Sequence, residues 1–146
     1  MRVDIEERRR AMPIQRLSIR DVTVLKNPGK CSEQLVWPHN LPDTSVTITR
    51  VTMEPGSISK PHTHARSEQI WIVERGQGQL LLGAGKKTGL KAGDIIRTPP
   101  GETHGIENTA SEQLVYLAIT TPPEDFTAAY QEKSTPKPTG RFLAGE

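Results

Sequence analysis

The sequence has one cysteine, Cys31, in 146 residues. No internal disulfide can form, and a thiolate-based structural zinc centre has nothing to draw on. Cys31 itself reads as a small buried or idle thiol in preference to a nucleophile or ligand. Aromatic residues are only 4% of the chain and hydrophobic residues 34%, so the core is thin for the length. That favours a sheet-rich fold with a solvated tail, and an oligomer that buries further surface. An excess of one charge is also missing: 19 Lys and Arg face 17 Asp and Glu, for a net charge of +2 and a pI near 8.8. That balance argues against nucleic acid or an anionic membrane as a partner. No apolar run approaches membrane-spanning length. The first ten residues mix Asp4, Glu6 and Glu7 with Arg8, Arg9 and Arg10 and lack an apolar signal core. A cytoplasmic location is the expectation. No Ser or Cys sits beside a recognisable base and elbow. The glycine pairs Gly76/Gly78 and Gly83/Gly85 are followed by no helical pattern, which argues against a phosphate loop.

What the chain does contain is short strands punctuated by Gly and Pro. Val22 to Leu25 and Glu33 to Trp37 are strand candidates, separated by the turn Asn27-Pro28-Gly29. Ser45 to Met53 is rich in β-branched residues and alternates apolar with polar. Glu68 to Glu74 is the strongest strand, apolar on both parities and expected to be covered on both sides. Further strands follow at Gln79–Leu82, Lys86–Leu90, Ile95–Arg97 and Gln113–Thr120. A short C-terminal helix is expected next, with Thr121 as N-cap, Pro122 in the first position, Glu124 completing a capping box, and Phe126, Ala129 and Tyr130 on one face. The domain plan is a flexible segment over 1–15, one all-β domain over 16–131, and a loose tail over 132–146. Short strands with such turns mean an antiparallel sandwich or barrel.

The chemistry gathers in Gly56-Ser-Ile-Ser-Lys-Pro-His62-Thr-His64-Ala-Arg-Ser-Glu68. His62 and His64 are two apart, so on an extended strand both imidazoles point to one face, with the Glu68 carboxylate close behind. Two imidazoles and a carboxylate in this pattern point to a metal site. A fourth ligand must come from far along the chain. His104 is the candidate, opening a strand after the stiff turn Pro99-Pro-Gly101.

These segments resemble the two motifs of the cupin family. Gly56, His62, His64 and Glu68 match the first motif, except that seven residues separate Glu68 from Gly76 where the motif has six. The extra residue reads as a longer hairpin that leaves the ligands untouched. Gly93, Pro99, Gly101, His104 and Asn108 match the second motif at every position. The resemblance covers roughly residues 45 to 121. It implies an all-β double-stranded β-helix, or jelly roll, with a metal inside the barrel held by His62, His64, Glu68 and His104. Three imidazoles and a carboxylate suit one divalent transition metal, Fe, Mn, Ni, Co, Zn or Cu, and an octahedral ion would keep two positions for other ligands.

Arg50, Gln69, Arg97 and Tyr116 are candidates to line the barrel, although a solvent-facing or structural role is the better reading for each. Asn108 reads as the brace of its own turn, and His39 as a loop residue. The expected partner is a small-molecule ligand or substrate. A homodimer is expected too, with the N-terminal strands pairing across it, because the two-sided apolar strand would otherwise leave surface uncovered. Two function classes follow: a metal-dependent enzyme of dioxygenase, isomerase or lyase type acting on a small polar organic molecule, or a non-catalytic cupin that binds or senses such a ligand.

Overall fold

β-Branched segments broken by Gly, Pro and Asn turns fold as antiparallel strands because each strand can bury one parity of side chains and wet the other. The computed structural model describes residues 14–136 and the backbone of 141–143. Its strands are β1 (Ile14–Arg16), β2 (Val24–Asn27), β3 (Lys30–Val36), β4 (Thr47–Met53), β5 (Ile58–His62), β6 (Glu68–Arg75), β7 (Gln77–Leu82), β8 (Lys87–Lys91), β9 (Ile95–Thr98), β10 (His104–Glu107), β11 (Leu114–Thr121), β12 (Glu132–Ser134) and β13 (Arg141–Leu143). A seven-stranded sheet runs β12-β2-β3-β4-β11-β6-β9, a four-stranded sheet runs β5-β10-β7-β8, and β1 pairs with β13. Every pairing is antiparallel.

Alternation decides which residues meet between the sheets. In β4 the buried positions are Thr47, Thr49, Val51 and Met53; in β11 they are Leu114, Tyr116, Ala118 and Thr120. In β6 they are Gln69, Trp71 and Val73. The apolar ones among these pack on Leu90 of β8 and Ile106 of β10 from the smaller sheet, so the core lies between the two layers. This is the double-stranded β-helix expected from the sequence.

Several expectations are corrected. Among the described residues the C-terminal helix is absent: Thr121 is the last residue of β11, and a 3-10 turn over Thr127–Ala129 stands where the helix was expected. The capping pattern is used otherwise, since the Glu124 N–H donates to Thr47 Oγ1 (3.0 Å) and its carboxylate goes to His64. Residues 132–134 form an edge strand on β2 where a loose tail was expected. The rest of that tail, 137–140 and 144–146, and nearly all of the expected flexible N-terminal segment lie outside the described residues. β2 and β3, expected to pair across a dimer, find their partners within the chain, β3 lying against β4. The outer face of β6 is only half-covered at Ile70 and Ile72.

The lengthened hairpin expected after β6 does not form, since β6 and β7 lie in different sheets. β6 ends at Arg75 and β7 begins at Gln77, with Gly76 alone between them at φ +84°. A Cβ there would stand 2.3 Å from the Gln113 carbonyl oxygen, so only glycine fits. Among the described residues, no helix is long and apolar enough to cross a membrane.

Candidate metal centre

Three imidazoles converge at one end of the barrel. His62 closes β5 and His104 opens β10, and the two face each other directly in the ladder. His64 lies two residues past the strand, and its carbonyl accepts from the Gly101 N–H (2.9 Å), which ties the histidine loop to the Pro99-Pro-Gly101 turn. The ring centroids are 4.6 Å apart for His62–His104, 5.0 Å for His62–His64 and 5.1 Å for His64–His104. One nitrogen from each ring lies within 4.8 Å of the others. A bulge helps to aim them. Between the pairs His104↔His62 and Ile106↔Ser59, β5 carries one residue more than β10, which brings Ser59 to the face that His62 uses. The bulged backbone presses on Gly105, where a Cβ would meet the Ser59 carbonyl at 2.6 Å.

Each histidine is oriented from behind by a group that only accepts hydrogen bonds. His62 Nδ1 lies 2.7 Å from the Lys60 carbonyl, His64 Nδ1 2.8 Å from Glu124 Oε2, and His104 Nδ1 3.3 Å from the Glu102 carbonyl. A hydrogen on Nδ1 follows from those partners and leaves the Nε2 lone pair facing inward. His64 Nε2 is buried and has no partner. Burial, and then the neighbouring His62 charge, push the His104 pKa down to about 4, and burial is also the main cause that lowers His62. Both rings therefore stay neutral near pH 7 with lone pairs available, the form that a metal requires.

Glu68 is not in this group. Its carboxylate accepts from Arg97 Nε at 2.8 Å on the outer face of the sheet. The reason is strand parity: Glu68, Ile70 and Ile72 share the outer side of β6, and Gln69, Trp71 and Val73 the inner. The fourth side chain turned to the histidines is Gln69, 5% exposed. Six residues separate Gln69 from Gly76, the motif's own spacing. Its amide is oriented unambiguously: Trp71 Nε1, which can only donate, lies 2.8 Å from Gln69 Oε1, while Gln69 Nε2 donates to Thr120 Oγ1 at 2.9 Å. Gln69 Oε1 then faces His104 Nε2 at 3.1 Å. A neutral imidazole has one N–H to give, and both neighbours of His104 only accept. One of the two contacts is therefore lone pair against lone pair, an arrangement that a bound cation relieves. With the unpartnered His64 Nε2, this donor set fits a divalent metal.

His62 and His64 open into a cavity of about 540 Å³ whose lining includes Lys30, Ser59, Trp71, Tyr116, Phe126 and Tyr130. Tyr116 thus lines the barrel, buried among the core residues, with its phenol pushed well above the usual range by burial. Arg50 and Arg97 do not: they pair with Glu74 (3.1 Å) and Glu68 on the outer face. Asn108 braces its turn, donating to the Met53 and Glu112 carbonyls and accepting from the Ala110 N–H. His39 lies apart, paired with Asp125 at 2.6 Å and set against Trp37. Cys31 is half-buried on β3, away from the imidazoles. Sequence reasoning offered Gln69 as a barrel-lining candidate but set the solvent-facing or structural reading above it and named Glu68 as the ligand, and it missed Lys30 altogether. Counting back from Gly76 signals the first, and nothing local signals the second.

Known proteins share this architecture. Residues 49–120 match the cupin domain model. The oxalate-binding protein of Thermotoga maritima is 37% identical over 72 residues, 49% of this chain and 59% of that protein. An uncharacterised protein of Methanocaldococcus jannaschii is 30% identical over 95 residues, 65% of this chain and 75% of that protein. The crystal structure of a predicted oxalate decarboxylase from Thermotoga maritima superposes with a TM-score of 0.62 at 26% identity, covering 73% of this chain and 98% of that one.

Proposed function

The chain belongs to the cupin family, and from that premise we propose that it is a metal-dependent enzyme acting on a small polar organic acid. The metal is held by His62, His64 and His104, with the Gln69 carboxamide oxygen as fourth donor in place of the Glu68 carboxylate. The observation that carries this reading is the convergence of one ring nitrogen from each of three histidines within 4.8 Å, with His64 Nε2 buried and without a partner. A divalent ion there would act as a Lewis acid or dioxygen site for a substrate that reaches it from the cavity. The protein's own part is to orient and shield. Lys60, Glu124 and Glu102 fix the imidazoles from behind, and Trp71 fixes the Gln69 oxygen. Trp71 also stands edge-on to His104 at 5.2 Å, and Phe126 edge-on to His64 at 5.9 Å, covering the rings with apolar surface. A carboxamide donor leaves the ion its full charge, which favours an anionic ligand. Relatives named for oxalate binding and oxalate decarboxylation support an organic acid.

The name of the first of these relatives also favours a second reading, in which the site binds its ligand without turning it over. Elemental analysis of the isolated protein tests the metal, with about one ion per chain expected and none retained by His62→Ala or His104→Ala. Full metal content in both variants would sink the site assignment. Fe(II)-loaded protein, offered small acids, thiols and sugars, then separates the two classes by oxygen uptake and product mass. Ligand binding without turnover of any of them selects the binding protein.

A further inference from the structure

Lys30 opens β3 on the parity of the buried Ser32 and Gln34, opposite Met53 in the ladder, so its side chain starts from the inner face of the sheet. Lysine is seldom placed there without a counter-ion. Among the described residues Lys30 has no carboxylate partner: its ammonium donates to Ser59 Oγ and lies 5.2 Å from the centroid of the Tyr130 ring. Both contacts orient the ammonium, and neither neutralises it. Burial accordingly pushes its pKa down to about 8, with no acid to offset it. Lys30, Ser59 and Tyr130 line the same cavity as His62, His64 and Gln69, and the Lys30 charge is near enough to His62 to help lower that imidazole's pKa. The Glu124 carboxylate near the histidines is already engaged by His64 Nδ1. One cavity therefore holds a fixed ammonium at one point and, once loaded, a divalent ion at another.

We propose that Lys30 is the anion anchor of this cavity, and that the ligand is a small diacid or oxo-acid with one carboxylate on the Lys30 ammonium and a second oxygen donor directed to the three-histidine centre. This rests on the metal reading above. Ser59 and Tyr130 are positioning residues, holding the ammonium in place from one side and the aromatic face.

The test uses full-length protein loaded with Zn(II), calorimetric titration with oxalate, malonate and succinate and with the monoamide of each, and metal content measured in parallel. The loaded native protein should bind at least one diacid more tightly than its monoamide. Lys30→Met should weaken that diacid by at least roughly tenfold, narrow the preference over the monoamide, and keep one metal per chain. Lys30→Arg should restore most of the loss, and Lys30→Gln serves if the Met variant does not fold. Unchanged diacid affinity in the neutral variants would overturn the anchor while leaving the metal site standing. So would a loaded native protein that binds none of the diacids. A native protein that takes up no metal would overturn the reading beneath the proposal and the proposal with it.

Discussion

The same three strands build both ends of the barrel interior, and the ends have opposite chemistry. At one end the inward residues are Val51 and Met53 of β4, Tyr116 and Leu114 of β11, and Val73 of β6. At the other they are Thr47 and Thr49, Ala118 and Thr120, and Gln69. The register holds each set together, with Leu114 opposite Met53 and Thr120 opposite both Thr47 and Gln69. Trp71 and Tyr116, with ring centroids 5.0 Å apart, stand at the boundary. Burial is as complete at the polar end, where Thr47 and Thr120 are both 0% exposed. The difference is that each buried polar group there has to be satisfied, and His64 Nε2 has no partner among the described residues. One end is built for stability, and the other spends stability on holding donors.

The largest effect that breaks this contrast belongs to the apolar end. Leu114→Ala leaves a void among fully buried side chains and should cost about 2–5 kcal/mol in urea unfolding, with the metal content of the folded fraction unchanged. His104→Ala should do the reverse, abolishing metal uptake while the metal-free protein loses much less. Equal losses of stability from both would erase the distinction between the ends.

Acid probes the polar end by itself. His104 has a folded pKa of about 4 against an ordinary value of 6.5, so between these values the unfolded chain holds the extra proton. Stability of the metal-free protein should therefore fall as pH drops through this window, by about 3 kcal/mol from this group when complete. The His104→Ala variant should show a visibly shallower fall over the same range. Parallel curves for native and variant would mean that another group dominates acid unfolding.

How much of this is legible in the residues alone depends on how local the deciding physics is. The three motif histidines, which the structure brings together, the Gly and Pro turns and most strands are legible because strand parity and turn chemistry act over a few residues. The C-terminal helix misreads for the opposite reason. Thr121, Pro122 and Glu124 make a good capping pattern locally, but Thr121 is taken by β11, and Glu124 by Thr47 and His64, both far away in sequence. Lys30 follows Asn27-Pro28-Gly29 and looks like any solvated turn lysine; only the pairing with β4 carries it inside. The Glu68/Gln69 pair lies between these cases. A carboxylate attracts attention as a ligand, yet the spacing to the glycine at 76 already points to Gln69; the apolar residues do not decide it, because Ile70 and Ile72 share the parity of Glu68 as Trp71 and Val73 share that of Gln69.

Those two adjacent residues give the smallest and most discriminating comparison. Gln69→Leu removes the acceptor for Trp71 Nε1 and the donor to Thr120, two buried partners, and should cost about 1–3 kcal/mol of stability along with a clear loss of metal affinity. Glu68→Gln removes a half-exposed ion pair with Arg97 on the outer face. Such pairs contribute about 0.2–1 kcal/mol, so thermal unfolding should hardly move, and metal affinity should stay at the native value. The decisive quantity is metal affinity in the two variants side by side, because stability alone distinguishes a buried amide from an exposed carboxylate whatever either one binds. Weakened metal binding in Glu68→Gln with native binding in Gln69→Leu would return the fourth ligand to the carboxylate and require β6 to turn its other face inward, exchanging Trp71 and Val73 for Ile70 and Ile72 in the core.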